Sequence, residues 1–206
     1  MRPSKLRYRL RPSVHLSFDR DLVIGVATYA HELFTAVDDL DTVYVPIGLG
    51  SGISGLIGTR DTLGLKTKIV GVVADAANCY LRSFTAGRPL ATNSALTFAD
   101  GMAVRVPDPT ALDVIRKGAE RIVEVSDDEI AEAIRNIYAA THNCAEGAGA
   151  AALAALCKER ARLQGRRAAV ILTGQNIDRA WMQSVLAGRT PDVLGAVGLV
   201  HSGIAQ

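Results

Sequence analysis

Apolar, β-branched runs alternate with helical periodicity along most of this 206-residue sequence, and no connection is short enough for a tight hairpin. Strands joined in that way run parallel, with the intervening helices laid on both faces of one sheet. The expected class is therefore α/β, with a mostly parallel twisted sheet. The run "KTKIVGVVA" (66–74) shows no polar alternation after Lys68, as expected of a strand covered on both sides. Further strands are expected in "DTVYVPI" (41–47), "RIVEV" (121–125) and "RRAAVILTG" (166–174), with "MAVRVP" (102–107) as a short strand or extended segment.

The helices announce themselves by spacing and by caps. Leu22, Val26, Tyr29, Leu33 and Val37 recur every three or four residues, which predicts one amphipathic helix from Asp19 to Val37. Asp108 stands as N-cap before Pro109, and that helix should end at Gly118. Ser126 and Glu129 form a capping-box pattern ahead of a helix at 128–142. Other helices are expected at 53–64, 79–87 and 179–188. The small residues of "EGAGAAALAALCKERARL" (146–163) predict a helix whose first turn can approach another backbone closely.

Charge and cysteine usage narrow the class. Arg2, Lys5, Arg7, Arg9 and Arg11 precede any acid, so the net charge of +2 becomes negative once they are set aside. The basic character belongs to a leader (1–13), read as non-native or disordered, and not to a nucleic-acid-binding surface. Cys79, Cys144 and Cys157 are odd in number and form no C-x-x-C pair, which argues against a disulfide framework or zinc cluster and for a cytoplasmic location. No apolar run reaches the ~18 residues of a membrane span. The organisation expected is the leader, a catalytic-type domain at 14–188 and a tail at 189–206.

The segment "VYVPIGLGSGISGLI" (43–57) carries the functional signal: a strand runs into four glycines within eight residues and then into helical spacing. One reading is a turn with glycine chosen for backbone conformation alone. A nucleotide P-loop is excluded, because no Gly-Lys-Ser/Thr follows. A dinucleotide-binding module is an alternative, with Gly50, Gly52 and Gly55 in G-x-G-x-x-G order and Asp75 near the end of the next strand. The third reading is a monophosphate held by backbone N–H groups and a helix N-terminus, since the loop itself has no basic residue.

Motif order separates these readings. "VPIGLGSGISG", "ADGMAVRVP", "EGAGAAALAAL" and "LTGQNID" follow one another in a pattern that resembles the threonine/serine dehydratase (ammonia-lyase) family of pyridoxal-phosphate enzymes, of fold type II. The resemblance extends from about Val14 to Gly188, the later part of such a catalytic domain. It implies pyridoxal 5'-phosphate as cofactor, its phosphate at Gly48, Leu49, Gly50, Ser51 and Gly52, and Thr173 beside the pyridine nitrogen. Leu49 and Ser51 depart from the usual glycines, but backbone N–H groups are what bind. Glu146 falls on the family's acid before the small-residue helix, where an ordinary acid at a helix N-terminus is the equal alternative. The cation ligands of some family members would fall on Val73 and Cys79, poor ligands for a hard ion, so no metal is expected; Asp75 and Asp100 read as solvated loop acids.

The resemblance also implies a Schiff-base lysine upstream of the glycine turn, within a further small domain. Only about forty residues precede Gly48. Lys5 has the wrong setting and distance, Lys66 and Lys68 flank a strand on its far side, and His15 and His142 read as surface or capping residues. The expectation is a partial domain, inactive alone, derived from an enzyme that converts a small hydroxyamino acid, L-threonine or L-serine, into a 2-oxo acid (2-oxobutanoate from L-threonine) and ammonia. Homo-oligomers are expected of the parent and self-association of the fragment.

Overall fold

The structure, a computed structural model, describes residues 18–193. The leader with Lys5, as well as His15 and the tail from 194, lies outside the described residues. Among the described residues four strands form one sheet: β1 (Thr42–Pro46), β2 (Lys68–Ala74), β3 (Arg121–Val125) and β4 (Ala168–Val170). The order is β3-β2-β1-β4, and every pairing is parallel. The chain thus moves outward from β1 through β2 to β3, then returns to the other side of β1. That reversal opens a crevice beyond the carboxyl ends of β1 and β4, where open α/β sheets bind ligands.

Alternation along the strands divides the core in two. Tyr44, Val70, Val72 and Ala74 face α6 (Asp127–Thr141), α7 (Gly147–Lys158) and α8 (Arg179–Leu186). Val43, Val45, Ile69 and Val73 face α2 (Thr28–Ala36), α3 (Ser51–Thr62), α4 (Cys79–Ala86) and α5 (Pro109–Gly118). Both faces of β2 are therefore covered, which is why its sequence shows no polar alternation.

The caps read from sequence are present. The Asp108 carboxyl accepts the N–H groups of Thr110 and Ala111, and Pro109 takes the first position of α5. Ser126 and Glu129 close a reciprocal capping box on α6. The close approach expected of α7 is also there: a Cβ on Gly149 would collide with the Gly174 carbonyl.

Three expectations need correction. The helix expected at 19–37 is two, α1 (Arg20–Val26) and α2, joined at Ala27. The Thr28 hydroxyl bonds back to Gly25 O at 2.9 Å, and Ala27 packs onto Gly55 of α3. Of the two alternatives for "MAVRVP" the strand is not formed: the segment joins no strand pairing among the described residues, and its first residue closes a short 3₁₀ turn (Asp100–Met102). The helix expected at 146–163 leaves α geometry at Glu159, whose side chain is bound to Tyr44 and Arg121 below the sheet.

Candidate functional site

The crevice at the switch between β1 and β4 is an open pocket of about 600 Å³. Gly48, Leu49, Gly50, Ser51 and Gly52 enter it from the end of β1, and Thr173 from the end of β4. Gly101, Met102 and Glu146 close another wall, and Leu22, Val26 and Tyr29 complete it from α1 and α2. Residues far apart in sequence meet here because parallel strands end on the same side of the sheet.

The turn is set by glycine backbone geometry. Gly50 is the N-cap of α3 at φ +97°, a conformation that L side chains rarely adopt, and among the described residues no side chain caps the helix. The first-turn N–H groups of α3 are thereby left to a ligand or to water. A Cβ on Gly48 would strike the Gly101 carbonyl, and one on Gly50 would lie 2.7 Å from Ala111 Cβ. Among the described residues no lysine or arginine lines the pocket. Negative charge would therefore be met by oriented amides and the helix dipole, a combination well suited to a phosphate.

Two phenols hold the turn, Tyr80 from outside the pocket and Tyr29 from its wall. Tyr80 donates to Leu49 O at 2.9 Å, and Tyr29 donates to Gly52 O at 2.8 Å. Burial pushes the Tyr80 phenol up to about 12, and burial raises Tyr29 further still, so both remain hydrogen-bond donors at neutral pH. Sequence reading missed these contacts. Tyr29 showed only as a core position of the amphipathic helix, and Tyr80 as a residue of a short one.

Glu146 is the N-cap residue of α7, yet its side chain caps nothing in that helix. Its Oε2 accepts the Asn176 N–H at 3.0 Å, and its own N–H donates to Gly174 O at 3.1 Å. The acid thus ties the loop after Thr173 to the start of α7, and a Cβ on Gly174 would collide with its carboxyl. The Thr173 side chain is exposed at the pocket and presents a neutral hydroxyl there.

The dinucleotide constellation does not assemble. Gly50 and Gly52 line the pocket, but Gly55 packs on Ala27, and Asp75 sits outside the lining with its carboxyl on the Ala76 N–H. Val73 and Cys79 are buried in the core, and burial raises the Cys79 thiol to about 11. Asp75 and Asp100 are exposed. His142 ends α6 in a left-handed conformation (φ +59°) away from the pocket. Lys66 and Lys68 line a different concavity, of about 850 Å³, at the amino ends of the strands. That cavity is the larger, but its wall is a lattice of paired charges such as Lys68–Glu120 and Arg166–Asp41. No helix among the described residues is long and apolar enough to cross a membrane.

Residues 12–174 match the family described as pyridoxal-phosphate dependent enzyme. The sequence is 35% identical over 165 residues to a β-hydroxyaspartate dehydratase of Paracoccus denitrificans, covering 80% of this chain and 52% of that protein. It is 30% identical over 165 residues to an L-threonine ammonia-lyase of Thermotoga maritima, covering 80% and 41%. Phenylserine dehydratase of Ralstonia pickettii is 34% identical over 77% of this chain and 49% of its own. Among solved structures, the processed form of threonine deaminase isoform 2 from Solanum lycopersicum superposes with a TM-score of 0.76 at 28% identity, covering 81% of this chain and 47% of that one. The chain spans about half the length of the curated relatives it matches.

Proposed function

The chain belongs to the pyridoxal-phosphate dependent enzymes, and we propose that it carries the cofactor-binding half of a hydroxyamino-acid dehydratase (ammonia-lyase). The observation that carries this reading is the meeting of the glycine turn and Thr173 at one crevice. The amides of Gly48, Leu49, Gly50, Ser51 and Gly52 would take the phosphate, with α3's dipole behind them. Thr173 would face the pyridine nitrogen; being neutral, its hydroxyl does not force that nitrogen to carry a proton. Glu146 holds the Thr173 loop in place through Asn176. Bound there, the cofactor supplies an electron sink for negative charge at the substrate Cα.

Relatives named for β-hydroxyaspartate, threonine and phenylserine share one substrate class, an α-amino acid with a β-hydroxyl. We assign that class to the parent reaction, in which the β-hydroxyl leaves as water, one water is taken back in hydrolysis and ammonia is released to leave a 2-oxo acid; L-threonine is one member. Moving the Cα proton needs a base at the cofactor. Among the described residues no lysine lines the pocket. That base would come from the part of the family's catalytic unit that the described residues do not span, and these residues alone would bind cofactor without turning over. Among the described residues β4 is an edge strand paired with β1 alone, and that open edge supports the expectation of self-association or pairing with the remainder of the sheet.

Co-crystallisation with pyridoxal 5'-phosphate tests the assignment. Phosphate density against the amides of 48–52, with the ring toward Thr173, is the expected result. Cofactor seated instead in the 850 Å³ cavity beside Lys66 and Lys68 would overturn it.

A further inference from the structure

We propose that Tyr80 is a positioning residue for anion capture: its hydroxyl fixes the Leu49–Gly50 peptide with the carbonyl turned out of the pocket and the Gly50 N–H turned in. The inference rests on the phosphate reading of the turn and names a determinant outside it. A trans peptide is planar, so its C=O and N–H point in opposite directions, and holding one aims the other. Gly50 cannot hold that plane by itself, because glycine tolerates φ of either sign. A peptide rotated the other way would present the Leu49 oxygen to the anion and remove one of its donors.

The lock is geometrically complete. Tyr80 lies on α4, only 1% exposed, and its hydroxyl oxygen accepts the Asp108 N–H at 3.1 Å. With that lone pair engaged, the phenol hydrogen is committed to Leu49 O at 2.9 Å. Asp108 is itself fixed as N-cap of α5, its carboxyl accepting Thr110 N at 2.8 Å and Ala111 N at 3.0 Å. Ala111, the third residue of α5, also backs Gly50. The turn is thus braced by α4 and α5, elements that contribute no residue to the pocket lining. Tyr29 differs: its acceptor, Gly52 O, already lies inside α3, where the helix itself sets the peptide plane.

The test is titration of ¹⁵N-labelled full chain with inorganic phosphate and, separately, with pyridoxal 5'-phosphate, on wild type and Tyr80→Phe. In the wild type the Gly48, Gly50 and Gly52 amides should shift saturably. In Tyr80→Phe the phosphate dissociation constant should rise about tenfold, as expected for losing one well-aligned hydrogen bond. The Gly50 response should fall most, while Gly52 still shifts. Wild-type affinity and an unchanged Gly50 response in a folded Tyr80→Phe would overturn the proposal. So would a wild-type Gly50 amide that ignores phosphate while Gly52 responds, a measurement that needs no variant. A wild type in which no amide responds instead overturns the phosphate reading itself, and the proposal with it.

Discussion

The carboxyl of Glu146 accepts the backbone N–H of Asn176 at 3.0 Å, joining the start of α7 to the loop that follows Thr173. The same residue's N–H is bonded to Gly174 O, so the loop is gripped on both sides of Gln175. Glu146→Ala removes the acceptor and leaves a gap beside Gly174. It should lower stability by about 1–2 kcal/mol and weaken cofactor binding several-fold through displacement of Thr173. Glu146→Gln, which keeps an acceptor oxygen, should recover most of both losses. Thermal melting together with cofactor titration checks this pair. An alanine variant that melts and binds like the wild type would show the grip to be idle.

Gly50 and Gly58 should respond to alanine in opposite ways. At Gly50 an added methyl meets φ +97° and Ala111 Cβ, so Gly50→Ala should cost roughly 1–3 kcal/mol and abolish saturable phosphate binding. Gly58 is exposed within α3, and a Cβ there meets nothing within 4 Å. Gly58→Ala should stabilise by about 0.5–1 kcal/mol, because alanine loses less backbone freedom in a helix. Denaturant midpoints decide the signs.

A pH dependence follows from the cluster beneath the sheet. Tyr44 donates to Glu159 at 2.8 Å, and Arg121 bonds the same carboxyl through Nε at 3.1 Å and through Nη2. Burial opposes the charge on Glu159, but the bonds from Arg121 and Tyr44 prevail and hold its carboxyl below the ordinary glutamate value. An acid with a depressed folded-state value contributes stability above its unfolded value, and loses that contribution as pH falls through the folded one. Stability should therefore drop below about pH 4.3, and Glu159→Gln should flatten that part of the profile. The variant should also cost roughly 1–3 kcal/mol near neutrality. A wild-type acid limb identical to the variant's would contradict the assignment.

How much of this was legible in the sequence depended on the range of the interaction. The alternation of β-branched runs with helical spacing gave the parallel α/β class, because each signal is local. The caps at Asp108 and Ser126 were readable for the same reason, since donor and acceptor lie within three residues. The placement of β4 beside β1 was not readable, since register between strands more than a hundred residues apart leaves no local mark. Nor was the bond from Tyr80 to Leu49, which spans 31 positions. The break at Ala27 escaped because the apolar spacing runs straight through it. The glycine turn and Thr173 were each visible, but only the strand order brings them to one pocket. The matching Rossmann-like spacing of Gly55 and Asp75 showed the converse: correct intervals, yet side chains that the fold sends elsewhere.

The central claim, that the turn at 48–52 captures a cofactor phosphate while no described lysine can bond the cofactor, is tested most directly by comparing two ligands on the full chain. Pyridoxal 5'-phosphate and pyridoxal differ only in the phosphate. Equilibrium titration of each, with inorganic phosphate as competitor, is followed by borohydride reduction and peptide mass spectrometry. The account predicts saturable binding of the phosphorylated form, displaced by phosphate, much weaker binding of pyridoxal, and no stoichiometric label at any single lysine. Equal affinity for the two ligands, or full labelling of one lysine with turnover that its replacement abolishes, would contradict it.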